Sequence, residues 1–223
     1  MESPRLRDGR DVHAWVVMVF RNSIAEAHLD KTYPVLREAF DVLGPVNLPP
    51  RDGVPIGEAV TRIVIGQMLS RDAALSIYRR VTAARDERGL AGSWQLDEET
   101  LVSLGFSRRK ARTIREFADR YQVAPASYER WRTLDYDTLC REVSAFWGMS
   151  AWSADMLAIF YFGQPDVFPI ADGTIKRAVT LIEKQILGGR KFEPMRARPY
   201  RTFLSLYLWK AVDTGYLANR PTI

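Results

Sequence analysis

The stretch Phe146–Asp172, FWGMSAWSADMLAIFYFGQPDVFPIAD, decides the fold. It opens on a tight polar turn, runs through a helix, breaks at Gly163 and Pro165, and ends on an aspartate. Trp152, Met156, Ile159 and Phe160 recur at helical spacing, which predicts an amphipathic helix with one apolar face. Ser150 stands where an N-cap belongs and Gly163 where a helix stops. After the break, Asp172 is placed to cap a further helix over DGTIKRAVTLIEK. A turn that feeds a helix exposes backbone amides, and such amides seat a single phosphate.

Working outward, the remaining segments also read as helices. Pro34 to Leu43 predicts a short helix stopped at Gly44-Pro45, and Asn47 to Pro55 a loop. Ile56 to Ile65 is helical by pattern and breaks at Gly66, and Ser70 caps the next helix, Arg71 to Ala84. That leaves Gln67, Met68 and Leu69 at an interhelical turn, where the plain reading has Met68 and Leu69 plug the core. Asp97 to Leu104 predicts a helix, and Ser107 caps RRKARTIREFADRY, whose buried stripe is Ala111, Ile114, Ala118 and Tyr121. Arg108, Arg112 and Arg115 share another face, with Arg109 and Lys110 near its start. Val123 to Arg132 reads as a loop with Trp131 packed inward, and Asp137 to Phe146 as the helix before the polar turn. Ala14 to Phe20 is a short apolar run, either a buried strand or a turn of buried helix.

Composition narrows the function classes. With 47% hydrophobic residues among 223, the chain can bury a core, so it is not a disordered segment. A net charge of +5, with 27 acidic residues among 32 basic ones, permits a nucleic-acid partner without requiring one. Cys140 is the single cysteine, which excludes an internal disulfide framework and a four-cysteine zinc or iron–sulfur site. His13 and His28 are the only histidines, so no metal site is expected. The opening MESPRLRDGRD lacks the architecture of a signal peptide and no apolar run is long enough to span a bilayer, so an intracellular protein is expected.

The central stretch resembles the helix-hairpin-helix and Gly/Pro-Asp segment of the HhH-GPD superfamily of DNA glycosylases, in its 3-methyladenine DNA glycosylase II branch. The matching residues are Gly148, Trp152, Ser153 and Ala154, then Asp166, Val167, Phe168, Pro169 and Asp172. GQMLS, LGFSRRKARTI and RPYRTFLSLYLWKAVD resemble three further family segments, the last through Arg198, Pro199, Arg201 and Trp209. The resemblance covers roughly Pro34 to Asp213. It implies an all-α, two-lobed fold with DNA in the groove between lobes, in which residues 31–223 form the glycosylase domain and about 137–162 its hairpin. Residues 1–30 would be an N-terminal extension of unassigned structure, too short for the full sheet domain of larger members.

By the same resemblance the protein is a base-excision-repair hydrolase that flips alkylated purines, 3-methyladenine and 7-methylguanine, out of double-stranded DNA and cleaves their glycosidic bond. Asp172 is the implied catalytic carboxylate, with a plain helix cap as the alternative. Trp152, Met156 and Trp209 are the implied base pocket, with plain core as the alternative for the tryptophans. Gln67, Met68, Gly148, Ser150, Ser153 and Ala154 are the implied DNA contacts, Met68 as the wedge, and the amides of Gly148, Ser150 and Ala154 facing phosphate. Bifunctional relatives place a lysine where Trp152 stands, so hydrolysis without a lyase step is implied. The resemblance calls for no cofactor, metal or membrane and for a monomer. Ser150 replaces the hairpin's second glycine and Trp147 its proline, which predicts a strained or reshaped anchor. Other functions open to such a chain are a glycosylase for oxidised or deaminated purines, a non-catalytic helix-hairpin-helix DNA-binding protein, and a plain helical scaffold.

Overall fold

The computed structural model describes residues 23–48 and 53–218, and no strand occurs among them. Among the described residues eleven α-helices follow in order: α1 through residues 23–32, α2 (Arg37–Leu43), α3 (Ile56–Gly66), α4 (Arg71–Glu87), α5 (Glu98–Ser103), α6 (Arg108–Val123), α7 (Pro125–Glu129), α8 (Tyr136–Ser144), α9 (Ala151–Phe160), α10 (Gly173–Gln185) and α11 (Arg201–Asp213). The chain divides into two compact units, Met1–Pro49 with Gln164–Ile223, and Pro50–Gly163. The apolar run Ala14 to Phe20 lies outside the described residues, as do residues 49–52 of the expected loop. Among the described residues no helix is long and apolar enough to cross a membrane.

Polar caps start helices at Ser70, Ser107 and Asp172, as the sequence places them, and at Asp97, which was expected as the first residue of its helix. Ser70, Asp97, Ser107 and Asp172 each accept the backbone amide three residues on, at 3.4, 2.8, 3.3 and 2.9 Å. Such a bond pairs one of the four donors that a helix start leaves open. The helix before the polar turn starts one residue earlier than expected, because Asp135 Oδ1 takes the Thr138 amide at 2.9 Å.

In the unit built from residues 53–163, α9 packs against both α3 and α8. Every residue from Ser153 to Ile159 is buried, so the expectation of one apolar face is corrected. A helix enclosed by neighbours needs no solvent face, and the four residues at helical spacing mark only part of its contact surface. The buried charge on it, Asp155, accepts the Tyr136 hydroxyl at 2.6 Å, and burial together with that carboxylate pushes the phenol well above its usual range. The Val123 to Arg132 segment is not a loop. It forms α7 and a 3-10 turn at Arg130–Thr133, because Pro125 sits at the first helical position, where its missing N–H costs nothing. Trp131 is fully buried as expected, in an aromatic cluster with Phe117, Tyr128 and Phe146.

The other unit has its own core. Ala25 and Leu29 of α1, Phe40 of α2, Ile175 of α10 and Leu208 of α11 belong to one buried cluster. Phe40 and Tyr207 meet with ring centroids 4.7 Å apart. The segment before Asp172 is stitched to the first turn of α11. There the Thr202 hydroxyl donates to Gln164 O (2.7 Å) and accepts the Val167 amide (2.9 Å). Asp166 takes Arg201 in a fork, Nε to Oδ1 at 2.6 Å and Nη2 to Oδ2 at 3.1 Å, with Arg198 Nε 3.9 Å from Oδ2. These ties fix the path of the chain into α10.

Candidate functional site

Within the 53–163 unit, the polar turn joins α8 to α9. Gly148 has φ +77, and a Cβ there would lie 2.0 Å from the Thr113 hydroxyl, so both the backbone and the space demand glycine. Ser150 has φ −149 and ψ 179, ordinary extended backbone. The strain expected of a serine at the second glycine position is therefore absent. The Ser153 hydroxyl accepts the Ser150 amide at 3.3 Å, and the Ser153 and Ala154 amides both donate to the Ser150 carbonyl, at 2.9 and 3.2 Å. Ser153 and Ala154 are fully buried, whereas Ser150 is exposed. Ala154 thus closes the first turn of α9, and at the hairpin's end Trp147, Ser150 and Ala151 are exposed, Gly148 is half-buried and Met149 is buried. Trp147, in the proline's place, has the guanidinium of Arg112 4.8 Å and that of Arg109 5.8 Å from its ring.

The α3–α4 turn is bonded to this hairpin. Gln67 Nε2 donates to Gly148 O at 3.1 Å and to Ser153 Oγ at 3.3 Å. Next to it, Met68 has φ +56 and is 100% exposed, and Leu69 is 40% exposed. The core-plug alternative for these two residues is thereby excluded. A left-handed backbone at a residue other than glycine costs about 1–2 kcal/mol, so the turn is held by its surroundings. Part of that hold comes from a residue the sequence left on a charged face. Lys110 Nζ donates to Ile65 O at 2.9 Å and Gln67 O at 2.5 Å, and burial pulls the ammonium below its usual range. Arg115 likewise turns inward, onto the carbonyls of Trp94 (3.1 Å) and Leu96 (3.3 Å). The charge run on α6 is thus divided: Lys110 and Arg115 brace backbone, while Arg109 and Arg112 stay exposed beside the hairpin.

In the other unit, whose described residues are 23–48 and 164–218, Asp172 caps α10. Its Oδ1 accepts the Ile175 amide at 2.9 Å and the Trp209 indole Nε1–H at 3.0 Å. The carboxylate is half-buried and oriented by one backbone and one ring donor. Trp209 was expected as a wall; its indole N–H also bonds the carboxylate expected to be catalytic. Met156 and Trp152 sit on α9, buried and half-buried respectively. Sequence reasoning missed the Trp209–Asp172 bond, the Asp166–Arg201 fork and the inward turn of Lys110. The first two join residues 37 and 35 positions apart that were matched separately, and no local spacing encodes their pairing.

Comparison with known proteins places the chain. Residues 61–185 match the HhH-GPD superfamily base excision DNA repair protein family. The chain is 27% identical over 201 residues to the alkylbase DNA glycosidase-like protein mag2 of Schizosaccharomyces pombe, covering 83% of this chain and 92% of that protein. DNA-3-methyladenine glycosylase 1 of the same yeast is 25% identical over 162 residues, 69% of this chain and 71% of its own. The structure of the S. pombe 3-methyladenine DNA glycosylase Mag1 in complex with abasic DNA superposes with a TM-score of 0.67, covering 85% of this chain and 96% of that one at 22% identity. The matched segment takes in the Met68 turn, the hairpin and the Asp172 cap, and the chain belongs to the HhH-GPD superfamily of base excision DNA repair proteins.

Proposed function

We propose that this protein is a monofunctional DNA glycosylase that hydrolyses the N-glycosidic bond of alkylated purines, 3-methyladenine and 7-methylguanine, in double-stranded DNA. The observation that carries this reading is the Asp172 carboxylate fixed by Ile175 N and Trp209 Nε1. As the bond between C1′ and the base lengthens, positive charge develops on the deoxyribose. A carboxylate already oriented needs no reorganisation to stabilise that charge. The base leaves with the bonding electron pair, and water adds to C1′ and loses a proton. A base methylated at N3 or N7 is cationic while attached and departs neutral, so its barrier is low before the enzyme acts. An indole face adds about 0.5–2 kcal/mol toward such a cation, which is at most tens-fold in selectivity. Trp152, Met156 and Trp209 are the proposed base contacts.

The rest of the machinery serves flipping. Met68, exposed on a left-handed turn, would fill the gap that the extruded nucleotide leaves. The start of α9, with Gly148 and Ser150, would hold a backbone phosphate without reading sequence. No cofactor enters this scheme, and a monomer acting on damaged duplex suffices. The test is incubation with alkylated genomic DNA and chromatography of the released bases. Free 3-methyladenine and 7-methylguanine are expected; release of neutral oxidised or deaminated purines in their place would move the activity to another lesion class.

A further inference from the structure

We propose that Lys110 is a positioning residue that sets the Met68 turn against the hairpin, so that excision from duplex DNA depends on it more than excision from single strands. The proposal rests on the reading of Met68 as the wedge. Met68 is fully exposed, so no packing of its own side chain fixes its direction. Its backbone has to be held by bonds to the turn. Helix α3 ends at Gly66, and the last carbonyls of a helix have no partner within it. Lys110 Nζ takes two carbonyls there, one on each side of Gly66: Ile65 O at 2.9 Å and Gln67 O at 2.5 Å. A cation at this end also complements the helix dipole.

The same residues form a closed circuit. From Lys110 the path runs to the Gln67 carbonyl, and from the Gln67 side chain to Gly148 O and Ser153 Oγ. Gly148 rests on Thr113, one turn along α6 from Lys110, and the Thr113 hydroxyl in turn bonds Arg109 O at 2.9 Å. One helix therefore seats both the proposed wedge and the proposed phosphate anchor. A wedge acts by its depth relative to that anchor, and small misplacement of reacting parts lowers rates steeply. Lys110 is only half-exposed and its ammonium faces carbonyl oxygens, which sets it apart from the exposed Arg109 and Arg112.

The experiment compares wild type, Lys110→Leu, Lys110→Gln and Lys110→Arg in single-turnover base release from one methylated oligonucleotide, as duplex and as single strand. Met68→Ala is run alongside. Loss of a hydrogen bond to a charged group predicts about a tenfold slower duplex reaction for Lys110→Leu, with less than about twofold change on single strands. Lys110→Arg should recover most of the loss, and Lys110→Gln, which keeps a donor and is the milder change should the leucine variant fail to fold, should fall between. The slope of log binding constant against log salt should stay at the wild-type value, since losing a phosphate contact would lower it by about 0.9. Exchange of the Leu69 amide, which donates to Gly66 O across the turn, should quicken in Lys110→Leu without DNA present. Unchanged Leu69 exchange, equal losses on both substrates, or a reduced salt slope would each overturn the positioning role. Equal losses for Met68→Ala on both substrates would instead remove the wedge reading, and the Leu69 exchange then judges Lys110 by itself.

Discussion

One substitution can separate the cap at Asp172 from its proposed catalytic charge. As a cap Asp172 accepts the Ile175 amide; as the proposed catalytic group it supplies negative charge. Asparagine caps a helix about as well as aspartate, so Asp172→Asn keeps the first task and removes the second. Base release should fall at least a hundredfold, the size of loss seen when a preorganised electrostatic partner is removed, while lesion-duplex binding and melting temperature hold. A single-turnover rate near wild type would take Asp172 out of the mechanism. Trp209→Phe tests the orientation of that carboxylate, because it keeps an aromatic ring and deletes the Nε1–H donor to Oδ1. A hydrogen bond to a charged group is worth about 1.5–3 kcal/mol, so a fall of about ten- to a hundredfold in single-turnover rate is expected, without loss of binding. Weaker binding with an unchanged rate would leave Trp209 only as a wall.

At the level of elements, the capped helices predict how stability responds to acid. The exposed carboxyl of Asp135 lies below its usual range, chiefly through the Thr138 backbone amide and then its hydroxyl. A pKa depressed on folding means that the unfolded chain binds the proton more readily. The stabilisation is complete above the unfolded value, about pH 3.9, and is lost as pH falls through the lower folded value. Asp97, whose carboxyl is lowered by Thr100 in the same way, follows the same sign at the start of α5. Melting curves of Asp135→Asn and wild type between about pH 6 and 2 should differ in slope on the acid side, the variant being flatter, because asparagine caps α8 without titrating. Superimposable pH profiles would show that this cap does not contribute to the acid transition. The caps at Ser70, Ser107 and Asp172 were legible in the sequence, since a cap and its amide lie three residues apart, whereas Asp135 and Asp97 were not read as caps. The unbroken burial of Ser153 to Ile159 in α9 was not legible, because it depends on having α3 and α8 packed against the helix.

For the molecule as a whole, the proposal fixes the product as well as the substrate. A lyase step needs an amine that attacks C1′ and forms a Schiff base, and the residue at the hairpin position used for this in bifunctional relatives is Trp152. An indole cannot form that linkage. Duplex carrying one methylated purine should therefore give an intact abasic strand, broken only after hot alkali. One gel with and without alkali, beside a borohydride-trapping lane, checks this. Strand breaks without alkali together with a trapped covalent complex would defeat the monofunctional reading.

The sequence by itself determined the helical class, most helix starts, the Gly148 turn and the cap at Asp172, because each is encoded by residues within a few positions of one another. Periodicity, a polar cap and a glycine act through the nearest turn of backbone, so one stretch suffices to read them. Tertiary structure alone decided which charged residues of α6 face inward, that Met68 leaves the core for solvent, and that Ser150 adopts an unstrained backbone. It also decided the pairs Trp209–Asp172, Arg201–Asp166 and Gln67–Gly148. A lysine and an arginine on one helix face look alike in sequence. They part only when a neighbouring helix ends within reach of one of them, as α3 does at Lys110, and its open carbonyls draw the cation in.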